Sequence, residues 1–195
     1  MLERRTALQA LEWPSVSEAH ITLHEIAVAG AWLICDWDEA GERTITNAVR
    51  EAGLAPQVPL AGQALSTAST LLASIGPDRY LVITADEAAA DSLERAVTGA
   101  HSIECQCQRA WLRLSGHGSR AFLDRRLGVD ISHGRFPAGC AAATRLGQVD
   151  VLVHAGEDGS FDLLPARSFA AALAETLWQS ASAEGLSLAI CPVQD

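Results

Sequence analysis

The sequence has 195 residues, 49% of them hydrophobic, and sets 14 basic side chains against 24 acidic ones for a net charge of −10. A protein that reads phosphate backbones carries a basic stripe, so this balance argues against nucleic acid as a partner, and no apolar stretch approaches the length of a membrane-spanning helix. Every basic residue is Arg, with no Lys, which removes the Lys of a Walker-type phosphate loop and the amine of a Schiff base.

In chain order, His20 to Ile26 alternates polar and apolar residues and predicts a strand, followed by a second at Ala31 to Cys35. A helix is expected from Glu39 to Ala52, stopped by Gly53. Pro56 to Gly62 reads as a connection. Ser69 to Ile75 and Tyr80 to Ile83 flank Gly76-Pro77-Asp78 and form a hairpin. Thr84 to Gly99 predicts a helix capped by Thr84 or Asp86. His101 to Cys107 alternates, Ala110 to Leu114 is a strand, and Ser119 to Leu127 is a short helix with Phe122, Leu123 and Leu127 on one side. Val149 to His154 and Phe161 to Leu164 make a second hairpin around Asp158-Gly159. A last helix runs from Ser168 to Ala183, ends at Gly185, and leads to Leu186–Ile190. Hairpins separated by single helices imply an α+β fold with antiparallel-rich sheets and packed helices. The two passes divide the chain into 1–108 and 109–195, one two-lobed unit. The 35 Ala residues predict small-residue packing rather than an aromatic core.

Five cysteines, an odd number, do not describe a disulfide framework and read as reduced thiols. The N-terminus, Met1-Leu2-Glu3-Arg4-Arg5, lacks the apolar stretch of a signal peptide, and a cytoplasmic location is expected.

The chemical motifs are incomplete. Gly116-His117-Gly118-Ser119-Arg120-Ala121 satisfies G-x-G-x-x-A between a strand and a helix. About 20 residues on, where the dinucleotide fingerprint expects an acidic residue ending a strand, stands His133-Gly134-Arg135-Phe136-Pro137, so a tight strand-to-helix turn is the preferred reading. Cys105 and Cys107 share a strand face, but no second pair of zinc ligands has suitable spacing. His20 and His24 lie roughly 13 Å apart along one strand, too far for one ion. His24-Glu25 opens like H-E-x-x-H, but residue 28 is Val. No G-x-S-x-G elbow supplies a nucleophile. Cys140 with His133 or His154 is a conceivable thiolate pair, against which a packed Cys is preferred. Arg167, between Pro165 and a helix that Ser168 would cap, reads as a docking or bracing cation. No catalytic set assembles, which favours a binding or architectural role.

Three stretches together resemble the gamma subunit of heterotetrameric sarcosine oxidase. Leu71 to Ile83 is similar to the GPD-x-[YFW]-L hairpin of the aminomethyltransferase-like, folate-binding superfamily. Leu112-Arg113-Leu114-Ser115-Gly116 through Ala121-Phe122-Leu123 resembles that superfamily's L-x-L-[ST]-G turn and helix. The third runs from Asp130-Ile131 through Phe136-Pro137-Ala138-Gly139, Thr144-Arg145-Leu146 and Phe161 to Leu164, and finishes at Arg167-Ser168-Phe169-Ala170. The resemblance covers about residues 65–185. It implies the N-terminal fold of the glycine-cleavage aminomethyltransferase. It also implies a non-catalytic gamma subunit that stabilises a complex with alpha, beta and delta subunits. Such a complex demethylates sarcosine to glycine, makes hydrogen peroxide, and passes the one-carbon unit to tetrahydrofolate. FAD, FMN, NAD, tetrahydrofolate and zinc are then held by the other subunits, and none by this chain. Gly116, Phe136, Thr144 and Arg167 are the structural or subunit-contact candidates. The alternatives are a free-standing folate-binding, aminomethyltransferase-like protein and the gamma-type subunit of a related N-methyl amino acid dehydrogenase.

Overall fold

The computed structural model describes residues 6–9, 12–16, 18–51, 53, 58–97 and 102–193. It is an α+β structure of two sheets and four α-helices among the described residues, as the hairpin pattern predicts.

The six-stranded sheet contains β1 (Ile21–Ile26), β7 (Trp111–Ser115), β8 (Ala141–Leu146), β9 (Val149–Ala155), β10 (Phe161–Pro165) and β11 (Leu188–Cys191), in the order β11-β1-β7-β10-β9-β8. β1 pairs antiparallel with β7 and parallel with β11. One face of this sheet is apolar. Leu23, Leu114 and Phe161 stand in register across β1, β7 and β10, each fully buried, and each such side chain contributes about 1.5–3 kcal/mol. Helix α4 (Ala170–Ala183) buries Ala170, Leu173, Ala174, Leu177 and Ala181, the spacing of a single helical stripe, and packs on β11. Glu25 is buried on β1, where its carboxylate accepts the backbone N–H groups of Ala7 (2.6 Å) and Leu8 (3.0 Å).

The five-stranded sheet contains β2 (Gly30–Cys35), β3 (Ala64–Ser66), β4 (Thr70–Gly76), β5 (Arg79–Thr84) and β6 (Ser102–Glu104), in the order β3-β4-β5-β2-β6. Helices α1 (Glu39–Glu51) and α2 (Glu87–Val97) belong to the same unit. Trp32 and Ile34 from β2, Leu72, Val82, Ile45 and Val49 of α1, and Leu93 and Val97 of α2 form its core.

Most predicted elements recur, and the differences have local causes. The α2 cap is Asp86, whose Oδ1 accepts the Ala89 N–H at 2.9 Å. Thr84 instead closes β5, its hydroxyl paired with that of Thr70 at 2.9 Å. Gly99 and His101 lie outside the described residues. Ser168 does not cap α4. A 3-10 turn over Arg167–Phe169 precedes the helix and its backbone takes up the leading amide, with Phe169 N–H donating to Ala166 O at 2.9 Å. The 1–108 and 109–195 division is corrected. One unit comprises Met1–Ala27, Gln108–Ala138 and Ala143–Asp195, because β1 finds its neighbours in β7 and β11. The other comprises Val28–Cys107 and Gly139–Ala142, where Ala64 N–H donates to Gly139 O and Ala141 N–H to Gly62 O.

Candidate functional site

Helix α3 (Ser119–Asp124) is six residues long and follows the G-x-G stretch. Both sheet neighbours of β7 are antiparallel, so the parallel strand a dinucleotide fold requires is not beside it. Gly116 has φ +109°, and a Cβ there would meet the backbone of His20 and Ile21. Close approach of β1 explains that glycine, and the turn reading holds. Arg120, inside the same stretch, reaches from α3 to Phe136 O at 2.9 Å while its guanidinium lies 4.8 Å from the Phe161 ring centre. Asp124, one turn on, accepts the Ile131 N–H at 3.0 Å. These two side chains therefore clamp the Asp130–Phe136 loop to α3.

The sequence candidates fall on separate elements. Phe136 is buried in that clamped loop, and Thr144 is half-buried on β8. Arg167 is exposed on the 3-10 turn. Cys105 is buried while Cys107 is exposed, because the chain leaves β6 at Glu104 and coils into a 3-10 turn, so the two thiols do not share a strand face. His20 Nδ1 bonds Ser187 Oγ at 2.7 Å, and His24 is exposed. Cys140 is half-buried in a bridge with Gln63. Among the described residues no group of three His, Cys, Asp or Glu is placed to hold a metal ion.

A dense polar cluster among the described residues joins His24 and His154, weighed above for other roles, to Arg113 and Asp162, which were not candidates. His24, Arg113, Asp162 and His154 stand in one row across β1, β7, β10 and β9, each opposite the next in register. Period-two alternation puts Trp111 on the same face as Arg113. Asp162 Oδ1 accepts from Trp111 Nε1 (2.7 Å) and Arg113 Nε (2.8 Å), and Oδ2 from Arg113 Nη2 (3.2 Å) and His154 Nδ1 (3.0 Å). The Arg113 guanidinium also lies 5.7 Å from the Trp111 ring centre. Burial pushes the Asp162 carboxyl up, but the hydrogen bonds from His154, Arg113 and Trp111 and the Arg113 charge outweigh it, so the group sits below the ordinary carboxylate range. Burial likewise pulls Arg113 down and its bond to Asp162 more than restores it. The result is an ionised pair. The ionised carboxylate can only accept, which assigns the His154 ring proton to Nδ1. His154 is 1% exposed, and its Nε2 has no partner among the described residues. An Asp–His pair of this orientation activates a hydroxyl or thiol when one meets Nε2; among the described residues none does, Cys140 included. The signal in the sequence was Asp162 itself, an acid inside the apolar run Phe161-Asp162-Leu163-Leu164.

Because Asp162 has a depressed value in the folded state, it binds its proton later than the unfolded chain does. Its contribution is complete above the ordinary value of 3.8 and is lost as pH falls through the lower folded value. Melting temperature followed from pH 7 downward (roughly to pH 2) should fall more steeply below about pH 4 for the wild type than for Asp162→Asn. Parallel curves would contradict the assignment.

The five-stranded unit carries an open cleft of about 570 Å³ bordered by Asp36, Trp37, Leu60, Asp78 and Tyr80. Asp36 N–H donates to Asp78 O at 2.8 Å. Burial, then the carboxylates of Asp36 and Asp78, raise the Tyr80 hydroxyl above its usual value.

In comparisons with known proteins, the family model for the sarcosine oxidase gamma subunit matches residues 38–184. No curated protein matches the chain by sequence. Among solved structures, the chain resembles a heterotetrameric sarcosine oxidase from Corynebacterium sp. U-96, solved with pyrrole 2-carboxylate. That match has a TM-score of 0.75 at 21% identity and covers 92% of this chain and 95% of that one. It also resembles the glycine cleavage system aminomethyltransferase T of Bartonella henselae, with a TM-score of 0.61 at 16% identity, over 90% of this chain and 48% of that one. Both likenesses show the shared fold. No helix among the described residues is long and apolar enough to cross a membrane. A family match spanning most of the chain, on a fold shared with a sarcosine oxidase chain, agrees with the motif order from Asp130 to Ala170: this protein belongs to the sarcosine oxidase gamma subunit family.

Proposed function

We infer that this chain is the gamma subunit of a heterotetrameric sarcosine oxidase, that it stabilises the assembly, and that it carries no catalytic residue of its own. The observation that carries the second half is the closed cluster at Asp162. Each of its carboxylate oxygens is committed to donors from the chain, and among the described residues the Asp–His pair has no nucleophile at His154 Nε2. Demethylation of sarcosine, peroxide formation and one-carbon transfer to tetrahydrofolate then belong to alpha, beta and delta subunits, which hold FAD, FMN, NAD and zinc. Family membership and the fold of the Corynebacterium enzyme support that partnership. Of the four sequence candidates, Arg167 is the one whose side chain faces solvent beside an exposed large apolar neighbour, Phe169, and it is the one suited to a subunit contact.

The purified chain alone should be colourless and produce no peroxide from sarcosine. Leaving it out of a co-expression should lower the yield of assembled oxidase. In the assembled complex, His154→Gln should leave kcat unchanged, and Arg167→Ala should reduce assembly without raising KM. Flavin absorbance or turnover by the isolated chain would refute the reading, and so would a loss of kcat in an intact His154→Gln complex.

A further inference from the structure

The geometry points to the open edge of the five-stranded sheet as a pairing site for an extended segment of a partner chain, an inference that rests on the chain being a subunit. β6 ends the sheet order β3-β4-β5-β2-β6. On its inner side Cys105 N–H donates to Ala31 O at 2.8 Å, and Ile103 stands opposite Leu33. Hydrogen-bonded and non-hydrogen-bonded pairs alternate along an antiparallel ladder. Ile103 therefore turns its N–H and C=O inward, while Ser102 and Glu104 direct theirs outward. Among the described residues no backbone group meets them there. Two other edges are closed by the chain itself. Beside β3, Ala64 N–H donates to Gly139 O at 2.8 Å and Ala141 N–H to Gly62 O at 2.9 Å. Beside β8, Gly128 N–H donates to Arg145 O at 2.9 Å.

Natural sheets guard an exposed edge by keeping it short or by placing charge or Pro on it. β6 has three residues, but its centre is Ile103, 60% exposed and opposite the half-buried Leu33. The strand is fixed at both ends. Ser102 Oγ donates to Val97 O at 2.8 Å, and just past the strand Gln106 Nε2 donates to Val28 O at 3.1 Å. An edge already held in place costs a partner little ordering. Outward backbone groups repeated every second residue fit an extended main chain, not a helix face. Every pair within this sheet is antiparallel. An antiparallel newcomer would face Ile103 across a non-hydrogen-bonded position, where side chains come closest, and an apolar residue fits there. Glu104 is exposed and has no ion-pair partner among the described residues, so it selects Lys or Arg opposite it. A second copy pairing β6 with β6 would instead set Glu104 against Ser102, leave both carboxylates without a cation, and join two chains of net charge −10.

The test uses the full chain co-expressed with the other oxidase subunits, one of them tagged, and measures how tightly this chain is retained. Glu104→Pro removes an outward N–H and no bond to β2, a placement that an edge strand tolerates. The variant chain should keep its melting temperature and be retained about tenfold less tightly, from the lost hydrogen bond and the packing beside it. Ile103→Ser should weaken retention as well. Glu104→Gln should weaken it less and flatten its salt dependence. Hydrogen exchange should find the Glu104 amide open in the chain alone and protected in the assembled complex. A photo-crosslinker at residue 103 should label a basic segment of another subunit. Wild-type retention by both Glu104→Pro and Ile103→Ser, an unprotected Glu104 amide in the complex, or labelling of a second copy of this chain would overturn the edge site while leaving the subunit reading standing. Failure of the wild-type chain to associate at all would overturn both.

Discussion

Asp162→Ala is expected to destabilise the folded chain by about 3 kcal/mol, a fall in melting temperature of roughly 6–12 °C for a chain of this size. The carboxylate accepts from Trp111, Arg113 and His154 at once. Its removal leaves a buried indole N–H, a buried imidazole N–H and a guanidinium without their acceptor. Removing one partner of a buried ion pair costs about 3–5 kcal/mol because the other charge stays desolvated. The Arg113 side chain keeps 25% of its surface in water, which places the effect at the lower end. Asp162→Asn retains acceptor oxygen but loses the charge, and should fall between Ala and wild type. Asp150→Ala supplies the contrast. It breaks the Arg145–Asp150 pair at 3.0 Å, whose side chains are 69% and 83% exposed, and exposed pairs of that kind often contribute nothing measurable. Chemical denaturation of the three variants checks the ranking. An Asp162→Ala protein as stable as Asp150→Ala would show that the row is incidental to the fold.

Gly116→Val should cost roughly 3 kcal/mol, from two sources that can be separated. A φ of +109° is closed to a β-branched residue. The added Cβ would also overlap His20 O and lie 2.9 Å from Ile21 Cα. Those main-chain atoms cannot retreat freely, because the His20 and Ile21 N–H groups both donate to Ser187 O, at 3.0 and 3.2 Å. Gly118 has a similar φ of +91°, but a Cβ there would meet nothing within 4 Å, so Gly118→Ala carries the dihedral cost alone, about 1 kcal/mol. Denaturant midpoints of the two variants give the difference. Equal losses would mean that crowding against β1 adds nothing.

Much of the secondary structure was legible because each element announces itself locally. Alternation marks β1, and Gly-Pro-Asp and Asp-Gly turns mark the two hairpins. The spacing of Leu173, Ala174, Leu177 and Ala181 marks the buried stripe of α4. Besides the three-residue β3 (Ala64–Ser66), the strand that escaped is β8, which reads Ala141-Ala142-Ala143-Thr144-Arg145-Leu146. Alanine has little strand preference and gives no contrast between faces, so neighbours rather than residues make it a strand. Ser168 failed as a cap for a related reason: the preceding backbone turn met the amide that its hydroxyl would have taken.

By itself, then, the sequence determined the α+β class, the turns, most of the strands and helices and the motif order that carries the family resemblance. Tertiary structure alone decided which strands lie side by side. Alternation tells a residue which face to occupy but not whom to face, since partners and register are chosen by packing between distant segments. Ile21 meets Leu188 across the sheet, which takes the first strand out of the N-terminal half. The same choice of register lines up Arg113, Asp162 and His154 from three strands into one hydrogen-bonded row. Individually they are a surface-type Arg, an acid in an apolar run and a lone His. Only their alignment, around a carboxylate that is 1% exposed, makes them a unit.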